Sequence, residues 1–278
     1  MKKNISALRP SFLLFIFGGF LLTAFRVVLK IKFTDAKTGF YTANSIMPLI
    51  FYISYAALLC AAAVLACTGK EMLENKPLPN FGAVSWSALV LGFSIEYKTL
   101  ADIMMLYTRF MSSDKIKTAT NTAVGLATIA FSAAAGIIMI ILAIHMGAGA
   151  MRVYMGSVSL AVPVLYRCLV LVERFTGHTS SLAVSDDVLE ILMLIFAILF
   201  MVGHSRVLTR IKVGLGHRLL EFAGYACGIT TILLWVPRIV AIPFLQYELT
   251  SKNSATLLCD AALMLYAVLF TKRVTQTL

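Results

Sequence analysis

Residues 122–144 read TAVGLATIAFSAAAGIIMIILAI, inside a longer run from Thr118 to Met151 that contains no Asp, Glu, Lys or Arg. A helix rises about 1.5 Å per residue and a bilayer core is about 30 Å thick, so about 20 such residues suffice to cross it. In hydrocarbon a backbone N–H must pair within its own segment, which makes the run a helix. Thr38 to Gly69 is a second charge-free run and supports the same reading.

Working outward by uncharged length and flanking charge, candidate spans fall near 11–29, 46–66, 85–107, 122–144, 153–172, 188–204, 219–240 and 254–271. The composition, 60% apolar and only 13% charged, agrees with a chain dissolved in lipid. A membrane barrel would instead show short alternating segments, and none occur. The fold class expected is therefore all-α: a polytopic transmembrane helical bundle of eight spans forming one domain over residues 1–278.

The third span is the ambiguous one. Phe81–Ile95 is apolar, but Glu96, Lys98 and Asp102 follow. Trp86, Leu89, Val90, Phe93, Tyr97, Leu100 and Met104 fall on one helical stripe, with the charges mostly off it. This fits a crossing helix with a polar flank. The alternative is seven spans plus an amphipathic helix lying in the interface.

Lys2, Lys3 and Arg9 precede the apolar run Phe12–Phe25 in the manner of a signal peptide. No small-x-small cleavage site follows, and Arg26 and Lys30 come next, so a retained first span is expected. With eight spans, Lys and Arg are somewhat more numerous on the side of the termini, including Arg9, Arg152, Arg206, Arg210, Lys212, Lys272 and Arg273. That bias predicts a multi-pass protein of the plasma membrane with cytoplasmic termini. The basic balance, +11, is then mostly membrane-flanking charge. No loop is long enough to carry a basic domain, which excludes nucleic acid as a partner.

The linkers are short and carry turn formers, as in Asp35–Gly39 and Lys76-Pro77-Leu78-Pro79-Asn80. The five cysteines, Cys60, Cys67, Cys168, Cys227 and Cys259, are dispersed through apolar segments without a CxxC, so they read as packing residues. Phosphate-loop, dinucleotide, haem-attachment and GxSxG motifs are absent, and no cofactor is predicted.

Helices in lipid associate through close backbone approach and polar contacts. Ala123, Ala127, Ala130, Ser132, Ala134 and Gly136 line span four, and Ala57/Ala61 and Ala62/Ala66 line span two. Gly224 and Gly228 form a GxxxG pair in span seven. These faces serve either contacts inside one bundle or a homo- or hetero-oligomer seam. Pro163, which lacks an N–H, is expected to bend span five.

Chain order also sets depth. Arg167, Arg238 and Asp260 share one half of the bilayer, and Arg26, Lys98 and Asp102 join them if span three crosses. An ionised group facing lipid costs about 2.5–3.5 kcal/mol at mid-span, so these residues should snorkel, pair or line a wet pocket. Read functionally, Arg167, Arg238, Lys98 and Arg26 would hold a small anionic solute, with Asp260 or Asp102 as counter-ion or proton-coupling group. At the opposite face, His145, His204, His217 and Glu221 are candidate metal ligands; His217 and Glu221 stand at i and i+4. Ser185-Asp186-Asp187 with Glu190 reads as an N-cap followed by first-turn acids at the start of span six, or as a cation-binding mouth.

The segments Thr38-Gly39-Phe40-Tyr41, Pro163-Val164-Leu165-Tyr166-Arg167, Leu192–Arg206 and Leu234-Trp235-Val236-Pro237-Arg238 resemble those of multi-span bacterial membrane proteins to which no activity is assigned. The resemblance implies a bacterial plasma membrane and carries no mechanism. Three function classes follow from the residues: a transporter or sensor of a small, anionic solute; a non-catalytic structural or accessory subunit; and a membrane-embedded metal-dependent enzyme. The depth-matched charges favour the first.

Overall fold

The computed structural model describes residues 9–33, 41, 46–69, 81–111, 119–148, 157–177, 184–245 and 251–276. The turn formers at Asp35–Gly39 and Lys76–Asn80 and the basic residues Lys2 and Lys3 lie outside them. Eight helices follow one another: α1 Pro10–Lys32, α2 Met47–Thr68, α3 Gly82–Met111, α4 Ala119–Gly147, α5 Ser157–Gly177, α6 Val184–Thr209, α7 Val213–Leu245 and α8 Ser251–Gln276. Among the described residues there is no strand element. The chain is an all-α helical bundle.

Among the described residues, six helices are long and apolar enough to cross a membrane: α1, α2, α4 from Ala123, α6 from Asp186, α7 to Val240, and α8 from Ser254. α3 and α5 carry more charge, Glu96, Lys98 and Asp102 in one and Arg167, Glu173 and Arg174 in the other. α3 nevertheless runs antiparallel along α4 and does not lie across it. Ser85 is beside Gly147, Gly92 beside Ile140, Glu96 beside Gly136, and Thr99 donates to Ser132 at 2.8 Å.

The α3 stripe faces outward. Trp86, at 72% exposure, and Met104, at 70%, stand out with Val90, Phe93, Tyr97 and Leu100, while Ser87, Ser94, Lys98 and Thr99 are buried. Large apolar groups outside and polar groups inside invert the pattern of a water-soluble helix. The same holds for Phe17, Phe20 and Leu21 of α1 and Val158 of α5. So much exposed apolar surface is what lipid-facing helices present.

Helices α3 to α8 form a closed ring in chain order, completed by contact between α8 and α3. α1 and α2 pack on the outside of α7, which also contacts α6 and α8. The ring is filled by Phe81, Met139, Phe200, Tyr266 and Phe270, and Phe81 stacks on Phe270 at 4.9 Å. A second apolar cluster, with Leu29, Phe51, Leu189 and Leu233, seals α1 and α2 against α6 and α7. The bonded pair Tyr55–Thr230, 2.6 Å apart, pins α2 to α7.

Local chemistry explains the element ends. Proline opens α1 and α2, where the missing N–H has no helical partner to lose. Lys30 and Lys32 close α1 at the negative end of its dipole. The α6–α7 reversal is tight, with Arg210 at φ 58° and Lys212 at φ 48°. Gly203 and Gly216 then let the two helices approach: a Cβ at Gly203 would stand 2.8 Å from the Leu220 nitrogen.

Boundaries differ from the sequence expectation mainly at α7, which extends from the expected 219–240 to Val213–Leu245. Its first and last turns are apolar enough to continue, and the turn at Arg210–Lys212 begins it earlier. α6 likewise runs from Val184, not 188, and α5 runs on to Gly177. Pro163 lies inside α5 and Pro237 inside α7, both in helices that remain continuous.

Candidate functional site

α1 presents Arg26 and Lys30 one turn apart, and α6 presents Asp186 and Glu190 at the same spacing, so each pair shares a helix face. Arg26 Nη2 donates to Asp186 Oδ1 at 2.6 Å, and Lys30 Nζ pairs with Asp186 Oδ2. Arg238 of α7 reaches the same Oδ2 through Nε at 3.2 Å, and its Nη2 stands 3.7 Å from Glu190. Arg174 of α5 bonds Asp187 at 3.3 Å and pairs with Glu190. Three cations thus converge on one carboxylate that is 3% exposed. Arg26 is 1% exposed; among the described residues its Nε and Nη1 make no hydrogen bond, and the Tyr52 hydroxyl lies beside its guanidinium. Its guanidinium lies 5.2 Å from the Phe51 ring centre, a cation–π contact that covers one face and satisfies no N–H.

A second constellation lies inward along α5, α8 and α3. Arg167 Nη1 contacts Asp260 Oδ1 at 3.4 Å and its Nη2 contacts Cys259 Sγ at 3.5 Å. Trp235 Nε1 donates to the other carboxylate oxygen of Asp260 at 3.2 Å. On α3, Lys98 bonds Asp102 at 2.5 Å, one turn along the same helix. Here each cation has its own acid. Trp235 joins the two constellations, because Arg238 stacks over its ring at 5.1 Å while its indole holds Asp260.

All six residues assigned to a solute site by depth therefore fall into these two neighbouring groups. The structure pairs Arg26 and Arg238 through Asp186, Arg167 with Asp260, and Lys98 with Asp102. Arg26 does not snorkel, and Lys30, read from sequence as a flanking charge, is buried. Asp186 and Asp187 stand in the first turn of α6, as the sequence predicts, and Asp186 and Glu190 are in addition the counter-ions of α1, α5 and α7. A signal was present, since the start of α6 and the end of α1 reach the same membrane face, which puts Asp186 at the depth of Arg26 and Lys30.

The histidines do not assemble. His145 is exposed, and His204 Nε2 is bonded to Tyr266 Oη at 2.6 Å. Glu221 accepts from Ser11 at 2.6 Å and contacts Arg9 at 3.4 Å. Among the described residues no group of three or more His, Cys, Asp or Glu side chains is arranged to hold a metal ion. The reason is geometric: equal depth on three helices says nothing about which way each face points. Gly224 and Gly228 are occupied within the chain. A Cβ on the first would collide with Thr271 of α8, and one on the second would lie 2.8 Å from Val268. A groove of about 440 Å³ beside α1, lined by Leu21, Leu22, Ala24, Phe25, Val28 and Ser54, contains no charged side chain and offers an anion nothing.

Six apolar helices and a belt of outward apolar side chains define the class: a multi-pass helical membrane protein. Comparison with family models, with curated proteins and with solved structures returns no match.

Proposed function

We propose that the chain is a membrane-embedded transporter or sensor of a small anionic solute, held where α1, α6 and α7 meet. The supporting observation is the excess of buried positive charge at Asp186. Arg26, Lys30 and Arg238 share one carboxylate, and among the described residues Arg26 Nε and Nη1 make no hydrogen bond, with only the Tyr52 hydroxyl beside the guanidinium. A buried guanidinium normally satisfies its donors, and planar carboxylates or phosphates match its fork. An entering anion would complete the Arg26 fork and draw on Lys30 and Arg238, with Asp186 as the exchangeable internal counter-ion. Arg167–Asp260 and Lys98–Asp102 form the balanced floor behind it. Arg238 is the most accessible of the three Asp186 cations, with 22% of its side chain exposed, and so faces the route of entry.

The same reading places the protein in a bacterial plasma membrane with both termini cytoplasmic, since eight crossings return the chain to its starting side. Under it, the Gly224/Gly228 face serves α7–α8 and α7–α1 packing. An accessory subunit would instead leave such a face uncovered for its partner.

Thermal unfolding of the purified protein with chloride, phosphate, mono- and dicarboxylates, neutral sugars and alkali cations tests the site. A ligand at about 100 times its Kd adds about 2.7 kcal/mol of stability. At least one anion is expected to raise Tm, and Arg26→Gln is expected to abolish the rise. If no anion does so, or if the rise survives Arg26→Gln, the proposal fails. Uptake of the stabilising anion into proteoliposomes then separates transport from sensing.

A further inference from the structure

Glu96 belongs to neither charged constellation. It occupies the middle of α3, and its neighbour across the helix pair, Gly136, stands close to the middle of α4. α4 meets the length and apolarity of a membrane span, and α3 lies antiparallel along it, so this carboxyl is near mid-bilayer. Phe93, Tyr97 and Leu100 beside it on α3 are exposed, which puts Glu96 at the border between the helix pair and lipid.

The α4 surface is shaped to receive it. A Cβ on Gly136 would collide with Glu96 Oε1, so the glycine leaves the space that the carboxyl occupies in this rotamer. Oε1 is buried and has no hydrogen-bond partner. The backbone N–H of Ile137 on α4 donates a hydrogen bond to the carboxyl. Among the described residues, no cation forms an ion pair with it. On α3, Lys98 is held by Asp102. On α4, the charge-free run leaves His145, an exposed residue beyond the notch, as the nearest titratable group. On α8, which packs on α3, Asp260 is held by Arg167 and Trp235, and Tyr266 by His204.

An ionised carboxylate with no counter-cation is disfavoured at this depth, whereas a protonated one supplies its own charge balance and a donor. We propose that Glu96, seated in the Gly136 notch of the α3–α4 seam, is a proton-binding site of this protein, loaded as the neutral acid and discharged when the seam admits water. It is separate from the Arg26–Asp186 region and does not depend on anion binding there.

Dicyclohexylcarbodiimide partitions into lipid and reacts with protonated carboxyls, so it reads the site directly. The full chain in proteoliposomes is treated with the reagent, and adducts are mapped by tandem mass spectrometry. The expected result is an adduct on Glu96 that falls at least about fivefold as the pH is raised and the carboxyl gives up its proton. Glu96→Gln should lose the adduct while still eluting as a single species. Gly136→Ala, which fills the notch, should change the extent of labelling without removing the carboxyl. Absence of an adduct at every pH would overturn the proposal. An adduct independent of pH would also do so, by making the acid permanently neutral. Protection by sodium at constant pH would replace the proton with a metal cation and equally overturn it.

Discussion

The Asp186 and Asp260 constellations are neighbours linked by one indole, yet they solve burial of charge differently. At Asp260 a single guanidinium, a single carboxylate and the Trp235 N–H close on one another, and Lys98–Asp102 is closed in the same way. At Asp186 three cations are drawn to one acid, and Arg26 Nε and Nη1 make no hydrogen bond among the described residues. Balanced pairs hold helices together, whereas an unbalanced group retains an unspent capacity for an acceptor. The contrast teaches that depth alone does not separate structural from binding charges. Stoichiometry and donor satisfaction do.

The contrast can be broken most forcefully at its hub. Asp186→Asn leaves Arg26 and Lys30 buried, and Arg238 half-buried, without their shared acid and should cost about 3–5 kcal/mol, read as a large fall in Tm or as failure to purify a single species. Asp260→Asn strands only Arg167 and should cost about 3 kcal/mol in the same assay. Replacing that pair together, Arg167→Met with Asp260→Leu, should return stability to within about 1 kcal/mol of wild type, as expected of a closed pair whose role is structural. If the double replacement is no better than the single one, the pair is doing something besides holding α5 to α8.

Arg26→Gln sharpens the other side. Asp186 keeps Lys30 and Arg238, so the loss should be only about 1.5–3 kcal/mol for one charged hydrogen bond, while anion-dependent stabilisation disappears. Trp235→Phe keeps the ring under Arg238 and removes the bond to Asp260. It should lower stability by about 1 kcal/mol, seen as a small Tm shift. His145→Ala is the smallest: an exposed side chain with no role in either group should change stability by less than about 0.5 kcal/mol.

Much of this is legible in the sequence. The charge-free run around residues 122–144 identifies a lipid-embedded helix because only a hydrogen-bonded helix satisfies the backbone there. The α3 stripe from Trp86 to Met104 likewise marked a coherent face, although which side it served was decided by packing against α4. Depth, being a count along the chain, put Arg26, Lys98, Asp102, Arg167, Arg238 and Asp260 in one half of the bilayer, and the structure draws them into two neighbouring ion-paired groups. It could not say which way the histidines face and overlooked Asp186, because depth constrains one coordinate while ion pairing requires all three.

What the sequence determined by itself is the solvent, the helical class and the level of each charge, since these follow from local length and polarity. Only the tertiary structure decided that α1 lies against α6 and α7, that Asp186 is shared, and that Gly136 opens a notch for Glu96. Those facts depend on the rotation of each helix about its own axis, which is set by how neighbouring side chains interlock and leaves little trace in the order of residues.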